Sequence, residues 1–151
     1  MLDELSEVLD SAIYKEIASQ AVYEAAQQKT DDPGAKELLK ELASQETKHA
    51  EKLKVLKEKG LGKQQWSQEE MTDLKISNYL TGGETLEGAG LQDTLIFAMK
   101  REEESMDFYR RIAGMIREKE AKELCINLAN EELGHKKRLE TLYDQLFYEG
   151  E

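Results

Sequence analysis

The chain contains a second copy of its own first half. Shifted by 86 residues, Glu16 falls on Glu102, Tyr23 on Tyr109, Glu46 on Glu132 and His49 on His135. The same shift lays Ala35-Lys36-Glu37-Leu38 on Ala121-Lys122-Glu123-Leu124, Leu42-Ala43 on Leu128-Ala129, and Leu53 and Leu56 on Leu139 and Leu142. Whatever one half folds into, the other repeats. Each half has the periodicity of two helices. Leu42, Glu46, His49, Leu53 and Leu56 follow the alternating four- and three-residue spacing of a single buried helical seam. Leu128, Glu132, His135, Leu139 and Leu142 repeat it. A third seam runs Leu91, Leu95, Ala98, Glu102, Ser105, Tyr109, Ile112, Ile116, and a fourth runs Leu5, Leu9, Ala12, Glu16, Ser19, Tyr23, Ala26.

These seams predict helices from about Leu2 to Lys29, then past the turn Thr30-Asp31-Asp32-Pro33-Gly34 to Lys59, from Leu91 to Glu118, and from Ala121 to Tyr148. Gly60 stops the second, whose lysines Lys52, Lys54, Lys57 and Lys59 complement the negative helix end. The short breaks near Asp32 and Lys119 predict antiparallel hairpins over residues 2–59 and 91–148. Between them, residues 60–90 hold six of the ten glycines (Gly60, Gly62, Gly82, Gly83, Gly88 and Gly90) and one plausible short helix, Gln68 to Tyr79. Helices of this length are roughly 40 Å long at 1.5 Å per residue, a distance such a connection can cross. The expected fold is all-α: a four-helix bundle of two hairpins joined by a long crossover, in one domain over residues 1–151. Trp66 is expected to cover the flank of the bundle from within that crossover.

Charge and cysteine usage restrict the setting. A net charge of −11 argues against nucleic acid and anionic membranes as partners. No apolar run approaches the roughly 20 residues of a membrane span, and Asp3, Glu4, Glu7 and Asp10 break up any signal-like start. The single Cys125 allows neither an internal disulfide nor a Cys-x-x-Cys pair, so a cytoplasmic setting is the expectation. Cys125 itself fits a small packing residue better than a reactive thiol.

The seams also carry chemistry. Glutamates on helices usually face solvent, and with 24 of them a Glu-x-x-His match is cheap. Here, however, Glu16, Glu46, Glu102 and Glu132 and both histidines interrupt seams that are otherwise largely apolar. Glu16 precedes the first turn by about as many residues as Glu46 and His49 follow it, and the second hairpin repeats the count, so a uniform rise brings all six to one level. Four carboxylates gathered in a low-dielectric core repel one another and lose solvation. Two divalent cations would cancel four ionised glutamates while both imidazoles stay neutral and complete the ligand sets.

On these residues the chain resembles the rubrerythrin branch of the ferritin-like di-iron carboxylate superfamily. The resemblance rests on Ala98-Met99-Lys100-Arg101-Glu102 through Asp107-Phe108-Tyr109, and on Glu131-Glu132-Leu133-Gly134-His135. It implies a ferritin-like domain holding two metal ions, iron first, with manganese or a mixed pair also suited to the donors. It implies Glu16, Glu46, His49, Glu102, Glu132 and His135 as metal ligands, and Tyr23 and Tyr109 as hydrogen-bond partners of ligand carboxylates. Two core tyrosines with satisfied hydroxyls are the plainer reading of the latter pair. Rubrerythrins proper also carry a rubredoxin-like module with four cysteine ligands, which one cysteine cannot build. Many have a further ligand glutamate one turn along the third helix, where this chain has Ser105.

The function so implied is reduction of hydrogen peroxide or dioxygen, a defence against oxidative stress, with electrons from a separate donor protein. The alternative is iron handling, in which Fe(II) is oxidised and bound without a dedicated reductant. A metal-free helical scaffold is the third reading. The family further implies a homodimer.

Overall fold

The computed structural model describes residues 4–59 and 88–148, with side chains from residue 6. Four helices make up nearly all of these residues: α1 (Glu4–Gln27), α2 (Pro33–Lys59), α3 (Leu91–Met115) and α4 (Lys119–Phe147). No strand occurs among the described residues. The expected short helix at Gln68–Tyr79, and Trp66, lie outside them.

The helix ends obey the repeat. Asp32 caps α2 by accepting from the Ala35 backbone N–H at 2.8 Å. Glu118, 86 residues later, caps α4 by accepting from Ala121 at 2.7 Å and Glu120 at 3.1 Å. Pro33 and Gly34, read from sequence as part of the turn, instead open α2. Proline's fixed φ suits the first helical position, where its missing N–H has no intrahelical partner to lose. Ile116 adopts an extended backbone (φ −78°, ψ 132°), so α3 ends at Met115, three residues before the predicted Glu118. Gly88 takes φ +79° just before α3, a conformation that L side chains rarely adopt.

Within each hairpin the two helices pack along their lengths; between hairpins, α1 meets α3 and α2 meets α4. Both cross-hairpin pairs are antiparallel. Lys29 at the end of α1 donates to Thr94 at the start of α3 (2.9 Å), and Arg101 reaches back to Ser19 and to the Lys15 carbonyl. Likewise Glu41 near the start of α2 holds Arg138 in a two-pronged contact, while Lys59 at its end meets Glu120. The end of α2 and the start of α3 therefore lie at opposite ends of the bundle.

The interior is apolar at both ends and acidic in the middle. One block joins Val8, Leu9 and Ala12 of α1 to Leu53 and Leu56 of α2, Ile112 of α3 and Leu128 of α4. The other joins Tyr23, Leu39, Leu42, Leu95, Leu139 and Leu142. Cys125 packs in the first block, and burial pushes its thiol up to about 12, where it is inert at neutral pH. None of the described helices is long and apolar enough to cross a membrane.

Leu128→Ala, at a fully buried position, will destabilise the metal-free protein by roughly 2–5 kcal/mol in denaturant unfolding, through lost transfer energy and the cavity left behind. Val55→Ala, at a side chain 50 % exposed, will stay within about 0.5 kcal/mol of the parent. Equal effects would contradict the seam assignment.

Candidate metal centre

Between the two apolar blocks, each helix contributes the one carboxylate that interrupts its seam, and α2 and α4 each add a histidine three residues further on. A three-residue step places the glutamate and histidine one above the other on the same helix face. Glu16, Glu46, His49, Glu102, Glu132 and His135 are all buried, none more than 3 % exposed.

The six form two overlapping groups of four, Glu16, Glu46, His49 and Glu132 in one, and Glu46, Glu102, Glu132 and His135 in the other. In each group, one ligand atom per residue lies within 4.8 Å of all the others, and each group can hold a metal ion. Glu46 and Glu132 are common to both groups; Glu16 and Glu102 each belong to one. The distances show the two-fold relation. His49 Nδ1 stands 2.9 Å from Glu132, 3.4 Å from Glu16 and 3.8 Å from Glu46. His135 Nδ1 stands 2.9 Å from Glu46, 3.5 Å from Glu102 and 3.6 Å from Glu132. The two imidazoles face each other, 5.6 Å apart at their centroids and within 7° of parallel.

Several inward-pointing atoms have no hydrogen-bond partner: one carboxylate oxygen each of Glu16, Glu46 and Glu102, both oxygens of Glu132, and His49 Nδ1. The last is close to Glu132 yet unpaired, because proximity without alignment is not a hydrogen bond. Buried polar atoms without partners are rare and costly. Their convergence on one volume fits a cation pair, which attracts lone pairs where hydrogen bonds cannot be made.

The outer edges of the ligands are satisfied, again in pairs. Tyr23 OH donates to Glu102 Oε1, and Tyr109 OH donates to Glu16 Oε1, each crossing between α1 and α3. Burial first, and then the adjacent glutamate charge, hold both phenols well above their usual range, so they stay donors. Each histidine turns its Nε2 outward. His49 Nε2 lies 2.8 Å from Glu131 Oε2, and His135 Nε2 meets Gln45 Oε1. Both acceptors only accept, so a proton at Nε2 satisfies each and would leave Nδ1 to a cation; without one, His135 Nδ1 also lies at hydrogen-bond distance from Glu46 Oε1.

No role for Gln45, Glu131, Lys15 or Arg101 was read from the sequence, although Arg101 and Glu131 stand within the family motifs. Each immediately precedes one of the four core glutamates, and the 86-residue shift pairs Gln45 with Glu131 and Lys15 with Arg101. Lys15 and Arg101 are both buried between α1 and α3. The Lys15 ammonium sits 4.0 Å above the Phe108 ring, and burial, then Arg101, lowers it to about 8. The signal was available: a residue one before a seam position lies about 100° round the helix, at the edge facing a neighbour. Ser105 is buried and supplies no carboxylate, and neither does its repeat mate Ser19.

Without metal, protons held on Glu46 and Glu132 relieve part of the cluster's charge. Burial first, and then the charges of Glu132, Glu16 and Glu102, hold Glu46 well above the carboxylate range. Burial, then Glu102 and Glu16, does the same to Glu132. Glu16 is drawn down despite its burial, by the neighbouring Glu46 and His49. His49 is raised despite its burial, by Glu16 and then Glu131. The groups with raised values contribute stability that is complete below the unfolded value, 4.5 for Glu and 6.5 for His, and is lost as pH rises through the folded value. Glu16 has the opposite sign, contributing fully above 4.5 and losing its contribution as pH falls. The metal-free protein will therefore melt at progressively lower temperature as pH rises above about 5. Excess Mn(II) will reduce or reverse that fall, because binding requires deprotonated ligands and strengthens with pH. Thermal melts with chelator and with metal check both trends.

The Rubrerythrin family model matches residues 7–143. A solved structure of a hypothetical protein from Pyrococcus furiosus superposes with a TM-score of 0.73 at 25 % identity, covering 95 % of this chain and 90 % of that one. No match was found among curated proteins. With a family match over nearly its whole length and a buried carboxylate and histidine cluster inside a four-helix bundle, the chain belongs to the rubrerythrin family.

Proposed function

We propose that the protein is a non-haem di-iron oxidoreductase that reduces hydrogen peroxide or dioxygen with electrons from a separate donor protein. The observation that carries the reading is the set of unpartnered oxygens and nitrogen converging between His49 and His135. Four ionised glutamates and two neutral imidazoles balance two divalent cations. Glu46 and Glu132 would be shared between the ions, with Glu16 and His49 serving one and Glu102 and His135 the other. Two irons, when bound, would supply the electrons and the binding positions for a small oxidant.

The chain's own residues do the rest. The apolar blocks above and below keep bulk water from the carboxylates, which strengthens their hold on charge. Tyr23 and Tyr109 fix the orientation of Glu102 and Glu16, and their phenol protons stay within one hydrogen bond of those carboxylates. A single cysteine leaves no four-thiolate electron-transfer site within these 151 residues, so the electrons would come from outside them. The same cysteine usage favours the cytoplasm, and a homodimer is the assembly we expect.

Purified without oxygen, given excess Fe(II) and desalted, the protein will retain about two irons per chain. Glu46→Ala, which removes a shared ligand, will lower this severalfold. With peroxide and an artificial reductant, the loaded protein will turn over many times. A single round per iron pair, followed by arrest, would instead identify an iron-handling protein. Failure to retain any transition metal would refute both and leave a helical scaffold.

A further inference from the structure

The two halves of the centre are related by the repeat in every ligand, but not in what stands behind the histidines. His49 Nε2 faces a carboxylate, Glu131, at 2.8 Å. His135 Nε2 faces the amide oxygen of Gln45. Positions 45 and 131 are equivalents under the 86-residue shift, each one residue before a shared glutamate, and each reaches across from α2 to α4 or back. The geometry is the same on both sides; only the charge differs.

We propose that this difference makes the two halves unequal, so that a divalent cation fills the His49 half first and more tightly. The inference rests on the metal-centre reading above. An imidazole whose outer N–H donates to a carboxylate is a more basic ligand at its other nitrogen than one donating to a neutral amide. Glu131 also adds a negative charge on the His49 side that Gln45 does not match. It is 46 % exposed, so solvent screens its direct pull on the ion, and the hydrogen bond through the ring carries most of the effect. The inner distances of the two histidines agree to within 0.2 Å pair by pair, and both terminal glutamates have a tyrosine donor; Lys15 and Arg101 also differ between the halves, but they stay constant when only positions 45 and 131 are exchanged. Glu131 and Gln45 are thus positioning residues for the histidines, acting on order of loading.

Zn(II) titration of the metal-free protein tests this. Repulsion between two neighbouring cations separates the binding steps even in a symmetrical site, so the wild type must be compared with variants that restore symmetry. In Glu131→Gln both histidines face amides; in Gln45→Glu both face carboxylates. The wild-type steps should be separated by about tenfold to a hundredfold more than those of either variant, the usual weight of such outer partners. The swapped double variant, Gln45→Glu with Glu131→Gln, should regain the wild-type separation. Order is read directly, because the chain has only two histidines and hence two sets of imidazole nitrogen signals. At one Zn(II) per chain, the His49 signals should shift first in the wild type and the His135 signals first in the swapped variant. Two bound ions with equal separations in all four proteins, or with both histidines shifting together, would overturn the inference and leave the metal centre standing. A protein that binds no Zn(II), Mn(II) or Fe(II) would overturn the metal-centre reading and this inference with it.

Discussion

Four carboxylates buried at one level of a helical bundle are the constraint on which the rest of this structure depends. Each would be more comfortable in water, and together they repel. The fold tolerates them because apolar side chains above and below hold the helices in place regardless of the cluster's charge, and because every oxygen not needed at the centre is given a donor. Tyr23 and Tyr109 satisfy the outer oxygens of Glu102 and Glu16 across the helix pair opposite their own ligand. What is left unsatisfied points inward. The bundle is therefore least satisfied at its buried centre, the expected condition of a site whose stabilising partner comes from outside the chain.

The repeat explains how such a cluster is assembled from few parts. A hairpin with one glutamate on its first helix and Glu-x-x-His on its second provides half the donors. Packed antiparallel against its copy, it crosses the tyrosine of each hairpin onto the glutamate of the other. Ligand, tyrosine, helix cap and the residue before each ligand all recur at the same offset, so the two-fold relation extends from the centre to the helix ends. Where it breaks, at Gln45 and Glu131 and at Lys15 and Arg101, the two halves gain different electrostatics without a change of geometry.

The surface adds little to this. Ion pairs such as Lys57 with Asp10 and Arg138 with Glu41 fasten neighbouring helices, but exposed pairs of this kind contribute modestly. The bundle's stability lies in its two apolar blocks, and its chemistry in the layer between them.

Much of this was legible in the sequence, for reasons that are local. Periodicity places a residue on the buried face of its helix whatever that helix packs against, so Glu16, Glu46, Glu102, Glu132 and both histidines were recognisable as core residues, and residue counts from the turns put them at one level. Helix ends were less legible: Pro33 and Gly34 read as turn because their rarity in helices outweighs the first-position exception that Asp32 creates. Only the tertiary structure decided which carboxylates lie within reach of both histidines, Glu46 and Glu132, since that depends on how far each side chain stands from the two rings. It alone revealed Gln45 and Glu131 as the histidines' outer partners, because those contacts join residues of different helices more than 80 positions apart in the chain. A seam tells which way a side chain points; what it meets there is a property of the neighbouring helix, and no spacing within one helix encodes it.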